Sequence, residues 1–103
     1  MKKYVFIYYG YDTSSPELEQ AWHDWFTLRS DHFVDPGNPF GPGREVTPSA
    51  TTDLSADDTP AAGYSIVHAA NLQDAERLLD GCPIVDSCRI YETINLTAPG
   101  HAE

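Results

Sequence analysis

Four histidines, two cysteines and a set of ring-rich strands hold most of the reactive chemistry open to this 103-residue chain. His23-Asp24 is the most inviting pair, because histidine carries protons near neutral pH and an adjacent acid can orient it. Neighbouring residues on a helix point about a hundred degrees apart, however, so Asp24 is poorly placed to orient His23. His68 ends an apolar run at 63–69 and is the second candidate for acid–base work. His32 and Asp35 fall at a helix end, where a cationic imidazole simply complements the dipole. Cys82 and Cys88 have no second pair and no histidine at ligand spacing, so they match neither a zinc site nor a disulfide framework and read as reduced thiols. No metal site and no cofactor are expected: the sequence carries no Walker loop, dinucleotide fingerprint, nucleophile elbow or zinc-protease helix. Gly37, Gly41 and Gly43 alternate with prolines, which lack the N–H groups that a phosphate cradle needs.

The elements that must position these residues follow from periodicity and punctuation. Residues 3–9 are aromatic and β-branched and end at Gly10, which predicts a buried strand. Ser14-Ser15-Pro16-Glu17 supplies a capping hydroxyl, a first-turn proline and an acid, so a helix starts there. Leu18, Ala21, Trp22, Trp25, Leu28 and Arg29 recur at three- and four-residue steps and form its packing stripe, with Glu19, His23 and Ser30 on the other side. Between Asp35 and Pro60, prolines and glycines predict sparse regular structure, with one short edge strand at 44–47 and a loop at 49–60. Residues 63–69 read as a strand, Asn71 as the cap of a helix over 72–79 closed by Gly81, and 87–96 as a last strand. The order is β-α-β-β-α-β, a ferredoxin-like α+β sandwich in one domain over residues 1–96, with a frayed tail at 97–103.

In that layout the helices cover one sheet face, and a second copy is the expected cover for the other, giving a homodimeric α/β barrel. Alternation assigns the aliphatic set, Val5, Ile7, Ile66, Ile90 and Ile94, to the helix side. Tyr4, Phe6, Tyr8, Ser65, Val67, Arg89, Tyr91 and Thr93 then face outward. Rings for contact and a few polar groups for orientation suit either a ligand pocket or a subunit contact. Tyr4, Phe6, Tyr8, Ser65, Arg89 and Tyr91 are therefore the candidate ligand-binding residues.

Composition narrows the partners. At 41% hydrophobic and 12% aromatic residues the chain is too apolar to be disordered. A formal charge of −10, with its six basic residues scattered, argues against nucleic acid and anionic membrane surfaces. The opening Met1-Lys2-Lys3 precedes an apolar run that stops at Gly10, too short for a signal peptide or a membrane span, so a cytoplasmic location is expected.

Several segments carry a family resemblance. They are the opening Lys3-Tyr4-Val5-Phe6-Ile7-Tyr8-Tyr9-Gly10, the helix with Trp22 and Trp25-Phe26, and Asp35-Pro36-Gly37-Asn38-Pro39. Gly63-Tyr64-Ser65-Ile66-Val67 and Gly81-Cys82-Pro83, leading into Ile90-Tyr91-Glu92, complete the set. Over residues 3–95 the chain resembles the YCII-related domain proteins, including their DGPF branch, which implies a ferredoxin-like dimeric α/β barrel. Some members are lyase-type enzymes, such as a chlorohydroxyhydroquinone dehydrochlorinase, that are thought to use a His and Asp pair in a cleft. Setting Gly37 and Pro83 on the family pattern places Phe26 at the histidine position and Cys82 at the aspartate position. The dyad is thus missing, and its enzymatic role does not carry over; His23, almost one turn from Phe26, is the nearest substitute.

Three functions follow as expectations. The first is a dimeric module binding a small molecule in its cleft. The second is a small lyase working through His23 or His68. The third is a protein-interaction subunit whose ring-rich face is consumed by association.

Overall fold

The computed structural model describes residues 1–12, 15–55 and 59–95, and the tail expected at 97–103 lies outside them. β1 (Lys2–Tyr9) is the ring-rich opening strand. α1 (Pro16–Leu28) starts where Ser15 Oγ accepts from the Leu18 N–H at 3.1 Å, with Pro16 in its first turn. A 3₁₀ turn over Ser30–His32 leads into β2 (Phe33–Asp35). β3 (Arg44–Val46) and β4 (Thr51–Asp53) form a hairpin, and β5 (Ala61–Ala69) is the longest strand. α2 (Leu72–Arg77) is capped by Asn71, whose Oδ1 accepts from the Asp74 N–H at 2.8 Å, and β6 (Ser87–Glu92) completes the described elements. Both caps satisfy N–H groups that a first helical turn otherwise leaves unpaired, which is why the helices start where the sequence indicates.

The architecture is α+β: a four-stranded sheet in the order β2-β5-β1-β6, with every neighbouring pair antiparallel, and two helices. The sheet's second strand in chain order is β2, at 33–35, where the sequence reading sets a helix end, at His32 and Asp35, and sparse structure from Asp35 on. The edge strand expected at 44–47 exists as β3 but pairs only with β4, off the main sheet. Asp35 explains the difference. It ends β2 by accepting from the Gly37 N–H at 2.8 Å and takes the Tyr64 hydroxyl at 3.0 Å, so the chain is tied to β5 before the proline-rich stretch begins.

The sheet faces also differ from the aliphatic rule. Tyr4 and Phe6, 1% and 0% exposed, lie with Tyr8, Ser65 and Val67 under the helices, against Trp25 from α1, Ala75 from α2 and Leu78 at its C-terminal cap. Alternation then puts Val5, Ile7 and Ile66 on the open face. β6 follows the expected assignment at Ile90, which pairs opposite Phe6 and packs on the core while Arg89 and Tyr91 are exposed, but the strand ends at Glu92 rather than 96, and Ile94, expected on the helix side, is 78% exposed. Large rings from β1 and α1 pack together to fill the space between the helices and the sheet. The polar tips are no obstacle inside: Tyr8 Oη donates to Ser65 Oγ at 2.8 Å, and Ser65 Oγ donates to the Pro36 carbonyl at 2.6 Å. On α1, Trp22 and Trp25 pack inward and Glu19 and His23 face solvent as the stripe predicts, but Leu28 is 66% exposed and Phe26 takes its place.

Candidate functional site

Trp22 and Phe26 are one helical turn apart on α1, so they present adjacent rings, 5.8 Å between centroids. Tyr8, at the end of β1, meets Trp22 edge-on at 5.2 Å. These three rings and Leu18 form one wall of a cleft of about 430 Å³. The opposite wall is the segment from Pro36 to Pro39, which runs beside β5 and bonds to it through Phe40 N–H to the Ala62 carbonyl at 2.7 Å. Glycine at 63 is what lets it approach, because a Cβ there would sit 3.0 Å from the Asn38 carbonyl oxygen. The residues from Tyr9 to Asp12 and the pair Ile84 and Val85 border the cleft further. Across from β1, Tyr11 Oη donates to the Phe40 carbonyl at 2.9 Å and joins the loop after β1 to the loop after β2.

Burial sets the electrostatics. It pushes the Tyr8 hydroxyl well above the usual phenol range, against the lowering effect of its bond to Ser65, so the ring stays neutral at any physiological pH. Burial also pushes the Cys82 and Cys88 thiols up to about 12, Cys82 with a further push from Cys88. Neither is a nucleophile near neutral pH.

Of the candidate ligand-binding residues, Tyr8 borders this cleft, and Ser65 holds the Tyr8 hydroxyl from behind. Tyr4 and Phe6 are sealed in the core. Arg89 and Tyr91 sit on the open sheet face, where the Arg89 guanidinium lies 4.9 Å from the centre of the Tyr9 ring. The acid–base candidates lie elsewhere again. His23 is exposed on α1, and Asp24 accepts from Gln20 Nε2 at 2.8 Å. His68 borders a smaller cavity of about 200 Å³ with His32, Asp74 and Arg77, and its buried Nδ1 has no hydrogen-bond partner. Among the described residues, no three His, Cys, Asp or Glu side chains converge as a metal site would require.

Trp22, Phe26 and Asn38 line the cleft although the sequence reading did not nominate them. The four-residue step from Trp22 to Phe26 was a usable signal, since it sets two rings side by side on one helical stripe. Comparison with protein-family models finds no match, and comparison with curated proteins finds none either.

Proposed function

We propose that this protein binds a small molecule in the ring-lined cleft between α1 and the β1–β5 end of the sheet. The observation that carries this reading is the cleft itself: its volume lies in the range of ligand sites, and its walls combine flat apolar surface with a few fixed polar atoms. No histidine lines it among the described residues, which favours binding over acid–base turnover there. The lyase reading has a single supporting observation, the unpartnered Nδ1 of His68, and that atom belongs to the smaller cavity.

The same reading makes the protein a ferredoxin-like, YCII-related homodimer. Support for pairing comes from the open sheet face, where Val5, Ile7 and Ile66 are only half-buried and Tyr91 and Val34 are exposed. It comes also from the β3–β4 hairpin, which is exposed throughout, with Val46 at 74%, whereas an isolated two-stranded hairpin is marginal in water. A partner copy covering both would remove both costs. Its two half-buried free thiols suit the reducing cytoplasm, and among the described residues no helix is long and apolar enough to cross a membrane.

A thermal-shift screen of fragment-sized aromatics, charged and uncharged, tests the binding reading, because a ligand at a hundred times its Kd adds about 2.7 kcal/mol to stability. Stabilisation by a subset of the panel is expected. A panel with no effect at millimolar concentration would count against the cleft as a binding site. Light scattering at micromolar protein tests pairing: twice the chain mass is expected, and the single-chain mass would contradict it.

A further inference from the structure

We infer that the cleft takes an organic cation, a quaternary ammonium whose methyl groups lie against the rings while carboxylates at the rim balance its charge. This rests on the binding reading above and names the ligand class for that same site.

The rings supply one half of such a site. Tyr8, Trp22 and Phe26 share one wall, with Trp22 turned 78° from Tyr8 and 31° from Phe26, so the wall offers π surface in more than one direction. A cation over a ring face is attracted by the ring quadrupole, most strongly at tryptophan. The chain makes one such contact itself: the Arg89 guanidinium lies 4.9 Å from the centre of the Tyr9 ring. Trp22 and Phe26, both half-buried, have no cation of the chain recorded over them and can receive one from a ligand.

The charges supply the other half. Among the described residues bordering the cleft there is no lysine, arginine or histidine, and Asp12 is the one charged side chain. A second carboxylate, that of Asp86, lies against Gly10 of the same border, where an added Cβ would run into it. The positive end of α1, where Leu18 borders the cleft, is offset by Glu17 and Glu19 in its first turn. A cation entering here meets carboxylates in a chain of formal charge −10, whereas an anion would lose its hydration without gaining a countercharge. The apolar walls then decide between kinds of cation. A primary ammonium carries three N–H donors that must leave water, and walls built of rings with Leu18, Ile84 and Val85 do not replace those bonds. A quaternary ammonium has no N–H to satisfy, and its methyl groups pack as apolar surface while they carry the charge to the rings.

Isothermal titration calorimetry of the full-length protein at pH 7 separates these requirements, with benzyltrimethylammonium, the similarly shaped alcohol 2-methyl-1-phenylpropan-2-ol, and benzylammonium as probes. Benzyltrimethylammonium should bind about tenfold more tightly than the alcohol, which keeps the ring and the shape and loses the charge. It should bind about fivefold more tightly than benzylammonium, which keeps the charge and loses the methyl groups. Equal affinity for the alcohol would overturn the charge argument, and equal affinity for benzylammonium the argument for a quaternary centre, while either result leaves the cleft a binding site. Absence of binding by all three at millimolar concentration would remove the inference and the binding reading together. Asp12→Asn, with circular dichroism confirming the fold, should weaken the quaternary cation about threefold and leave the alcohol unchanged, and raising sodium chloride from about 0.05 to about 0.5 M should act in the same direction. A cation affinity that neither change lowers would overturn the role of the acidic rim. Trp22→Leu should cost the cation more than the alcohol, and equal losses would overturn the contact between cation and ring.

Discussion

Replacing Trp25 with alanine probes the packing that holds α1, and with it one wall of the cleft, on the sheet. The ring is 2% exposed and meets Tyr8, Trp22, Phe26 and Phe33 at centroid separations between 5.2 and 6.4 Å. Its Nε1–H donates to the Leu78 carbonyl at 2.8 Å, which fixes α1 against the end of α2. Truncating a buried aromatic side chain costs about 3 to 5 kcal/mol. The lost hydrogen bond adds little, because Arg29 Nε also donates to that carbonyl, at 3.0 Å, and keeps it satisfied. A loss of about 4 kcal/mol is therefore expected. With an m value of about 1.5 kcal/mol/M, the urea midpoint should fall by about 2 to 3 M at fixed protein concentration. His23→Ala, on the exposed side of the same helix, should change stability by less than about 0.5 kcal/mol. Midpoints ranked in the opposite order would refute the assignment of the α1 packing face.

Two further perturbations test the account at other points. Gly37 has a φ of +81°, and a Cβ there would collide with the Tyr64 carbonyl, whereas Gly41 has nothing within 4 Å. Gly37→Ala should thus cost more than about 2 kcal/mol and Gly41→Ala almost nothing in thermal denaturation, and equal effects would contradict the path of the 36–40 segment. Alkali should destabilise the fold, because burial raises the Cys82 and Cys88 thiols from 9.0 to about 12 and raises the Tyr8 hydroxyl as well. A raised folded pKa gives stability that is complete below the unfolded value and is lost as pH rises towards the folded one, so urea midpoints should hold to about pH 9 and then decline towards pH 12. A midpoint unchanged to pH 11 would contradict the burial of these groups.

Much of the fold was legible because local signals agreed with tertiary packing. Ser15-Pro16 and Asn71 announced the helix starts, and the runs at 3–9, 63–69 and 87–96 were strands by residue type alone, though the last of them ends at Glu92. β2 was not legible: three residues carry no periodicity, and what makes them a strand is pairing with β5 and the Asp35 contacts, 29 residues away to Tyr64. The faces of β1 and β5 differ from the sequence expectation because that expectation set the aliphatic residues Val5, Ile7 and Ile66 on the helix side, whereas the rings of Tyr4, Phe6 and Tyr8 pack there. Inside, the Tyr8 hydroxyl is satisfied by Ser65, a partner 57 positions along the chain. The cleft inherits the same limit. Trp22 to Phe26 is a local pattern, but the opposite wall comes from a proline-rich segment whose course is set by Gly63, and no spacing in the sequence joins those two.

The two tryptophans offer the most direct test of the cleft as a ligand site. Their indole N–H groups give separate signals in a ¹⁵N-correlated NMR spectrum, assignable through Trp22→Phe. The Trp22 ring borders the cleft, while the Trp25 N–H is held on the Leu78 carbonyl in the core. On addition of the aromatic panel, the Trp22 indole signal should move severalfold more than that of Trp25 for the compounds that bind. If no compound at millimolar concentration displaces the Trp22 signal, or if binding compounds leave it unmoved, the cleft is not the site and the account fails.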